Sequence, residues 1–408
     1  MIRRLPIIIA LLCSTIVAQA QITLSEYVNA VIEYSHTLLS AEAMVDGRVA
    51  ESKIAKRNML PSLSLSSDAD LDFRSDDIGW GVRADISQPI YNGGRYKSLA
   101  EQSQYQLIES AGVRDKSELD VRYSAEVAYW ALSRAEIYRE AMLDYINIIE
   151  TLRDVALHRF EEGYTSKSDL LQVESRLSDA EYQLSQAEQR WSVALHNFNV
   201  LRGADPAESV ELGWSILDDY TLPTRVDGSE YIEKHPDYVV AVAGRESARC
   251  NISLREANYL PRLNLGLFGL WQPKVDAGTL LNGGVMLSLN APIFHFGERR
   301  EALRSARSGY RSAELIVDNV VDDIMLNESN GWTNLESSYQ RIGATRRSLE
   351  IAKENLDIST YSYREGLATI LDVLQAQLSW LQIYQNAITA QYDYAVAISS
   401  YRYIIAQE

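Results

Sequence analysis

Cysteine is scarce in this chain of 408 residues: there are two, and only Cys250 lies beyond the first twenty positions. A single cysteine cannot form an intramolecular disulfide, even in an exported protein. Long hydrophobic runs are also missing, since no stretch after residue 20 approaches eighteen consecutive apolar residues. The sequence therefore excludes a transmembrane helix, and any segment that enters a membrane must do so as β-strands closed into a barrel.

Motifs for catalysis and metal binding are missing as well. The five histidines have no short ligand spacing and no accompanying thiols: His36, His158, His196, His235 and His295. No nucleophile elbow or phosphate-binding glycine loop occurs, because Gly93-Gly94 only ends a strand before a helix. The sequence therefore predicts no enzyme, no cofactor and no metal site.

Positive charge is in deficit, with 39 basic against 56 acidic residues and a formal net charge of -17. This balance argues against nucleic acid as a partner. It suits a channel that passes cations more readily than anions, although an ordinary acidic surface explains it equally well.

The first twenty residues have the features of a signal peptide. Arg3 and Arg4 precede a nearly continuous apolar run from Leu5 to Val17, and Ala18-Gln19-Ala20 provides a small-residue cleavage signal. We therefore expect export of the chain and a mature start at Gln21.

An internal duplication is the strongest signal in the rest of the sequence. Three motifs recur: Asn58-Met59-Leu60-Pro61 at Asn258-Tyr259-Leu260-Pro261, Gln88-Pro89-Ile90-Tyr91-Asn92-Gly93-Gly94 at Ala291-Pro292-Ile293-Phe294-His295-Phe296-Gly297, and Phe160-Glu161-Glu162-Gly163 at Tyr363-Arg364-Glu365-Gly366. The offsets are 200, 203 and 203 residues, so the register changes only between the strands. The sequence predicts two structural repeats, 21–202 and 229–408, joined by a Gly- and Pro-containing linker at 203–228.

Each repeat is predicted to be a helix–strand–strand–helix unit with long coiled-coil helices, which makes the fold mainly α with a small β part. Apolar residues alternate spacings of three and four over about four heptads. The seam of the first repeat is Leu170, Val173, Leu177, Ala180, Leu184, Ala187, Trp191, Ala194 and Phe198, and its counterpart runs from Val373 to Tyr401. The preceding helices, about 95–162 and 298–365, would each span roughly 100 Å. A third seam is Ala131, Ala135, Tyr138, Met142, Tyr145, Ile149, Leu152 and Ala156. An antiparallel coiled coil and a cylinder of helices both fit these seams.

Strands are predicted at about 62–73 and 78–88 in the first repeat and at about 262–271 and 283–292 in the second. In all four segments apolar and polar residues alternate over about ten positions, the pattern of transmembrane barrels. Phe73, Trp80 and Trp271 fall near the turns, where interfacial aromatic residues belong. A soluble two-sided sheet would show the same alternation, but the chain offers no second apolar layer to cover it. Four strands cannot close a barrel, so closure requires several chains.

Helical hairpins are predicted at the two Gly-containing motifs. Gly163 and Gly366 each follow a long helix and suit the left-handed position just past its end. Ser166 with Asp169, and Thr369 with Asp372, have the spacing of a capping box that starts the next helix.

The segment Tyr363-Arg364-Glu365-Gly366-Leu367-Ala368-Thr369-Ile370-Leu371-Asp372-Val373-Leu374-Gln375-Ala376-Gln377 is similar to the most recognisable stretch of the TolC family of outer-membrane efflux proteins. The resemblance covers essentially the whole mature chain. It implies a homotrimer in the outer membrane of a Gram-negative bacterium, with a twelve-stranded β-barrel and a long periplasmic helical tunnel. It also implies docking to a periplasmic adaptor and an inner-membrane pump, in efflux or type I secretion, with 203–228 in the equatorial region.

The resemblance further assigns roles at the hairpins. It places a periplasmic entrance at Asp372, Gln375, Tyr363 and Asp169, where Gln375 stands in place of a second acid and Ala368 in place of a basic lock. The expected tip turns and adaptor contacts are Gly163, Tyr164, Gly366, Leu367, Glu162 and Glu365. The two glutamates occupy a position that is normally apolar, so we expect an adaptor of different charge.

Two other classes of protein compete with this interpretation. One is a periplasmic structural or adhesin-like coiled-coil protein without a pore, and the other is a periplasmic binding or enzyme domain. The missing site chemistry makes the second of these the weaker. The cargo is not encoded in the sequence, because exporters of this type share one kind of duct.

Overall fold

The computed structural model describes residues 21–72, 77–218, 221–226, 231–274 and 278–407. The signal peptide predicted at 1–20, the aromatic residue predicted at Phe73, and parts of the linker and of both predicted outer turns lie outside these ranges. The described helices are α1 (Leu24–Tyr34), α2 (His36–Arg57), α3 (Arg95–Glu161), α4 (Lys167–Leu201), α5 (Pro236–Ala257), α6 (Glu298–Arg364) and α7 (Ile370–Ile404). The strands are β1 (Ser62–Asp72), β2 (Asp77–Tyr91), β3 (Arg262–Lys274) and β4 (Gly278–Asn290).

The duplication is visible in the lengths of the helices. Helices α3 and α6 both contain 67 residues, and α4 and α7 both contain 35. The shorter entry helices also match, because Ser35 caps α2 and His235, 200 residues later, caps α5. Each side chain accepts a hydrogen bond from a backbone N–H of the first turn, which satisfies a donor that the helix cannot satisfy itself. The predicted duplicated, mainly α fold is confirmed.

The four strands form one antiparallel sheet in the order β1-β2-β3-β4. The register places Leu63 opposite Ile86, Ile86 opposite Leu267 and Leu267 opposite Val285, so the apolar positions of all four strands share one face. Leu63 and Val285 on this face are 75% and 70% exposed. The sheet therefore presents an apolar face that the described part of the chain leaves uncovered.

The second strand hairpin is longer than predicted. The strands predicted at about 262–271 and 283–292 leave residues 272–282 as the turn between them, but β3 and β4 stay paired until Lys274 lies opposite Gly278. Strand β4 begins at Gly278 and not near 283 for this reason. Antiparallel pairing with Leu270–Pro273 gives hydrogen-bond partners to the backbone of Thr279–Asn282, and this gain outweighs the turn-like composition of the segment.

The predicted seams are buried along most of their length. In α7 all the seam positions from Val373 to Tyr401 are buried except Ile383, which is half-buried. Further buried residues lie beside them, including Leu374, Leu381 and Ile388, so α7 packs against neighbours on more than one side. In α3 the predicted seam is buried from Met142 to Ala156 only. Upstream, the buried positions shift to Tyr129, Leu132 and Ile137, because a helix with 3.6 residues per turn drifts against a strict heptad.

Two compact units make up the chain. The first contains Ser124–Thr221 and Ser338–Val396 with the N-terminal segment up to Tyr34, and the second contains Ser35–Tyr123, Leu222–Ser337 and the C-terminal segment from Ala397. The first unit holds both predicted hairpins, and the second holds the sheet. Within the described ranges, no helix has the length and apolar character needed to cross a membrane.

Candidate functional site: the two helical tips

The end of α3 forms the first helical tip. Gly163 has φ of 80°, the left-handed conformation that side chains disfavour. Its N–H donates to the Phe160 carbonyl at 3.0 Å, and the Tyr164 N–H donates to the Arg159 carbonyl at 2.8 Å. These two bonds define a Schellman motif, which closes the helix by pairing carbonyls that have lost their partners.

The end of α6 forms the second tip by the same bonds. Gly366 has φ of 78°, its N–H donates to the Tyr363 carbonyl at 3.0 Å, and the Leu367 N–H donates to the Ser362 carbonyl at 2.8 Å. Each bond lies 203 residues from its counterpart in the first tip. The two helical hairpins predicted from the sequence are therefore present.

Replacing Gly163 with alanine is expected to destabilise the first tip by about 1 kcal/mol, because the cost of a left-handed alanine is conformational and no atom lies within 4 Å of the added Cβ. Gly343→Ala, inside α6 and equally free of contacts, is the matched control and should stabilise the protein by about 0.5–1 kcal/mol. Urea unfolding of the two variants at equal concentration measures the difference. Equal effects would contradict the role assigned to Gly163.

The helices that leave the tips begin with the predicted capping boxes. At α4 the Ser166 hydroxyl accepts from the Asp169 N–H at 3.2 Å, and the Asp169 carboxylate accepts from the Thr165 hydroxyl. At α7 the Asp372 carboxylate accepts from the Thr369 N–H at 2.8 Å and from the Thr369 hydroxyl at 2.7 Å. Both acids thus hold the first turn of the helix in place.

The tips keep these two carboxylates charged. The hydrogen bond from the Thr165 hydroxyl holds the pKa of Asp169 below its usual value. The hydrogen bonds from the side chain and backbone of Thr369 lower the pKa of Asp372 in the same way. Hydrogen bonding favours the ionised form, so both tips carry a fixed negative charge at neutral pH.

Most of the predicted site residues are exposed, but Asp169 is half-buried and Tyr363 is buried. Tyr164 and Leu367, the residues that follow the two glycines, are 72% and 81% exposed. Glu162, Glu365, Asp372 and Gln375 are also exposed. Tyr363, expected at the entrance, is instead buried with 3% of its surface accessible.

A groove of about 710 Å³ lies between α4 and α7 near the tips. Gln375 lines it together with Leu171 and Leu371, which are both more than half exposed. The groove also contains Arg176 and Asp179 of the first copy. Asp372, Asp169 and Tyr363 do not line this groove, so Gln375 is the one predicted entrance residue that lies in it.

Arg159 is a tip residue that sequence reasoning missed. Its guanidinium donates from Nη1 to the Tyr363 carbonyl at 2.5 Å and to the Arg364 carbonyl at 3.3 Å. Its Cζ lies 5.0 Å from the centre of the Tyr363 ring. An arginine in the last turn of a helix suggests only a favourable charge at the helix end, so no local signal reveals this partner.

A second group of missed residues fixes the linker. The Tyr129 hydroxyl accepts from the Trp214 N–H at 2.9 Å and donates to the Ile22 carbonyl at 3.0 Å. In the other unit, Arg225 forms two hydrogen bonds with the Glu328 carboxylate, at 3.0 and 2.7 Å. The linker is therefore tied to long helices near its middle, at Trp214, and near its C-terminal end, at Arg225. Its Gly and Pro content did not indicate these contacts.

Across the described residues there is no group of three or more His, Cys, Asp or Glu side chains placed to hold a metal ion. What the structure offers is a duplicated helical body, a sheet with an uncovered apolar face, and a pair of charged helical tips. Together these features define the class of outer-membrane export channels.

The chain belongs to the outer membrane efflux protein family, whose model matches residues 27–204 and 228–401. Members of this family are outer-membrane transport channels, and this chain is one of them. It works as a homotrimer together with a periplasmic adaptor and an inner-membrane pump. The poreless coiled-coil alternative is therefore set aside.

Relatives match the chain over most of its length. Protein CyaE of Bordetella pertussis is 23% identical over 385 residues, which cover 90% of this chain and 80% of the relative. Outer membrane protein TolC of Vibrio cholerae is 21% identical over 401 residues, which cover 94% and 90%. Among solved structures, outer membrane protein VceC from Vibrio cholerae superposes with a TM-score of 0.82 at 18% identity, covering 94% of this chain and 96% of VceC. At this identity the superposition establishes the fold.

Proposed function

We propose that the two helical tips form the periplasmic entrance of this channel and its contact with the adaptor. The observation that carries the proposal is the pairing of the tips within one unit: Arg159 of the first contacts Tyr363 of the second. Exposed apolar residues and exposed carboxylates lie beside this contact, on the turns that end both long helices. A surface with those properties suits both the passage of solutes and the docking of another protein.

The duct is passive in this proposal. The chain has no enzymatic activity of its own, and the inner-membrane pump supplies the energy for export. Residues 1–20 direct the chain to export and are removed, and residues 203–228 join the two repeats at the equatorial region. The apolar face of the sheet lies against outer-membrane lipid.

Efflux and secretion are both compatible with such a duct. One relative is named for alkaline protease secretion, and another for pyoverdine export. These names describe cargoes of very different size, carried by proteins that share this family. We propose that the pump, and not this chain, selects the cargo.

At the entrance, Asp372 supplies the charge in this proposal. Its carboxylate is exposed and its pKa is lowered, so three copies in the trimer contribute three negative charges. The three Asp372 carboxylates form a ring of negative charge in this proposal. Because Gln375 has no charge, this ring carries less negative charge than one with two acids per chain. Ala368 has no basic group with which to neutralise Asp372.

The adaptor contact is assigned to the turns themselves. Tyr164 and Leu367 offer exposed apolar side chains, and Glu162 and Glu365 flank them with negative charge. An adaptor that fits this surface presents an apolar contact with basic residues around it.

Asp372→Asn is expected to reduce the cation selectivity of the channel, because it removes the charge and keeps an oxygen that can still accept from the Thr369 N–H. A unit charge changes the energy of a cation 4 Å away by about 1 kcal/mol in water, so the cation-to-anion permeability ratio should fall roughly twofold to fivefold. Reversal potentials across a planar bilayer with a salt gradient measure this ratio.

Asp46→Asn is the matched control, since it removes one exposed carboxylate from α2. It should leave the reversal potential unchanged. If the cation-to-anion permeability ratio is the same in wild type and in Asp372→Asn, the assignment of Asp372 to the entrance is wrong. The Asp372→Asn variant also distinguishes the effect of the charge from the effect of helix capping, because asparagine can still cap the start of α7.

A further inference from the structure

A groove in the first unit, lined by α3, α4 and α7 around Arg134 and Arg190, is a second site in this chain. We propose that this arginine groove binds organic anions that carry an apolar body, such as aromatic sulfonates and carboxylates, on the inner wall of the channel. The inference rests on the assignment of the tips as the entrance, because that assignment decides which side of the helices faces the lumen.

The arginine groove is large enough for a small organic molecule and is apolar along its middle. Its volume is about 1080 Å³. Sites for drug-sized ligands enclose roughly 300–1,000 Å³ and are lined mainly by apolar side chains. The apolar residues of the groove come from all three helices: Val127, Ala131, Ala135, Val193, Val200 and Ile388. A ligand with one or two rings can therefore lie against them and bury part of its apolar surface.

The charge of the groove is opposite to that of the chain. Arg134 of α3 and Arg190 of α4 both line it, and none of its lining residues is acidic. The chain as a whole has 56 acidic and 39 basic residues. Across the part of the chain that the structure describes, neither arginine forms an ion pair. Both positive charges are therefore available to an anion.

Both arginines lie over tyrosine rings. The Cζ atom of Arg134 is 4.7 Å from the centre of the Tyr392 ring, and that of Arg190 is 5.9 Å from the centre of the Tyr138 ring. These distances are within the range of a cation–π contact. The Tyr138 hydroxyl also accepts a hydrogen bond from Nε2 of Gln385 at 3.0 Å. A guanidinium that lies on a ring still presents its N–H donors in its own plane, the geometry that suits carboxylate and sulfonate oxygens.

The groove lies on the side of α7 that the entrance faces. Leu371 and Leu378 line the groove of about 710 Å³ near the tips, together with Gln375 of the proposed entrance. Gln385 and Tyr392 line the arginine groove, each 14 residues after one of these leucines. Residues two heptads apart share one face of a coiled-coil helix. The arginine groove therefore faces the lumen when the tips form the entrance.

The opposite face of α3 is occupied by the linker. The Tyr129 hydroxyl accepts from the Trp214 N–H at 2.9 Å, and the Ser133 hydroxyl accepts from the Ile216 N–H at 3.1 Å. Tyr129 and Ser133 each lie two positions from Ala131, which lines the groove. Two positions correspond to about 200° around a helix. The groove and the linker therefore lie on opposite sides of α3, and the linker leaves the groove open.

The test measures block of the single-channel current by 2-naphthalenesulfonate, with purified, full-length trimers in planar bilayers. Wild type is compared with Arg134→Gln and Arg190→Gln, which remove one charge each and keep a polar side chain. Each variant should raise the half-blocking concentration about fivefold, the factor that a unit charge about 4 Å away gives in water. Arg347→Gln is the matched control and should leave block unchanged, because Arg347 is exposed on α6 and does not line the groove.

Two further probes separate the contribution of the charge from that of the apolar lining. Methanesulfonate has the anionic group without the rings and should bind at least about tenfold more weakly, because it buries little apolar surface. The cation 2-naphthyltrimethylammonium has the rings with the opposite charge, so the two arginine variants should not weaken its block. Weaker block by this cation in both variants would contradict recognition of the anion by charge.

Isothermal titration calorimetry of the same trimers, with detergent alone subtracted, measures binding of 2-naphthalenesulfonate without any current. The double variant Arg134→Lys/Arg190→Lys keeps both charges and should retain most of the affinity. The double variant Arg134→Gln/Arg190→Gln should lose it about twentyfold, since the two charges act on one ligand. Equal losses in the two double variants would contradict a role for the charges.

The outcomes distinguish the groove from the function beneath it. If wild type conducts and block is the same in wild type, Arg134→Gln and Arg190→Gln, the channel stands and the arginine groove is overturned. The same conclusion follows if Arg347→Gln weakens block as much as the other two variants do. If wild-type trimers do not conduct at all, the channel assignment is wrong, and calorimetry alone decides whether the groove binds the anion.

Discussion

Phe198→Ala is expected to lower the free energy of unfolding by about 3–5 kcal/mol, the range for removing a fully buried aromatic side chain. Phe198 has no exposed surface, and its ring stacks on that of Tyr27 with the centres 3.8 Å apart and the planes 9° from parallel. The ring of Tyr129 lies 6.1 Å away. Alanine would leave a cavity that two fixed rings cannot fill.

The expected loss is large because this cluster also organises hydrogen bonds. The Tyr27 hydroxyl donates to the Phe198 carbonyl at 3.1 Å. The Tyr129 hydroxyl donates to the Ile22 carbonyl and accepts from the N–H of Trp214 in the linker. Urea unfolding in detergent at fixed protein concentration measures the change, since the stability of an oligomer depends on concentration. Val200→Ala, on the exposed side of the same helix, should change stability by less than about 0.5 kcal/mol. Equal losses in the two variants would contradict the packing described.

Arg225→Ala is expected to destabilise the second unit, by less than the loss of a fully buried ion pair would. The Glu328 carboxylate is buried and receives two hydrogen bonds from Arg225 and one, at 3.0 Å, from the Tyr401 hydroxyl. Breaking a fully buried pair costs about 3–5 kcal/mol, but Arg225 is 49% exposed, so water replaces part of the lost attraction. Lys97→Ala, which removes an exposed pair at 3.9 Å, is the control and should have little effect.

The same pair predicts a pH dependence with a definite sign. The hydrogen bonds from Arg225 hold the pKa of Glu328 below its ordinary value of 4.5. A carboxyl whose pKa is lowered on folding contributes stability that is complete above 4.5 and disappears as the pH falls through the lowered value. The stability difference between wild type and Glu328→Gln should therefore shrink as the pH is reduced from about 7 to about 3. A difference that stays constant over that range would contradict an ionised Glu328.

Local signals predicted the features that depend on neighbouring residues. The alternation of Leu63 and Leu65 with serines indicated a strand, and Gly163 with Ser166 and Asp169 indicated a helix end followed by a helix start. Both patterns act within a few residues of the chain, so a single sequence contains them. The 203-residue offset then transferred each prediction to the second repeat.

Other features depend on partners that the sequence does not identify. Arg159 forms a hydrogen bond with Tyr363, 204 positions away, and Arg225 forms one with Glu328, 103 positions away. Helix ends illustrate the same limit. Gly203 marks the end of α4, but α7 ends with Ala406 in the equivalent left-handed conformation, with φ of 49° and the same two turn bonds. A local rule expects glycine at this position, and the chain has alanine there.

The measurement that bears most directly on the function is the conductance of the purified, detergent-extracted trimer in a planar bilayer. An outer-membrane export channel should require detergent for extraction and should then give discrete current steps that favour cations. Recovery of the folded chain from the periplasmic fraction without detergent, or a folded trimer that inserts and yields no current steps, would contradict the channel.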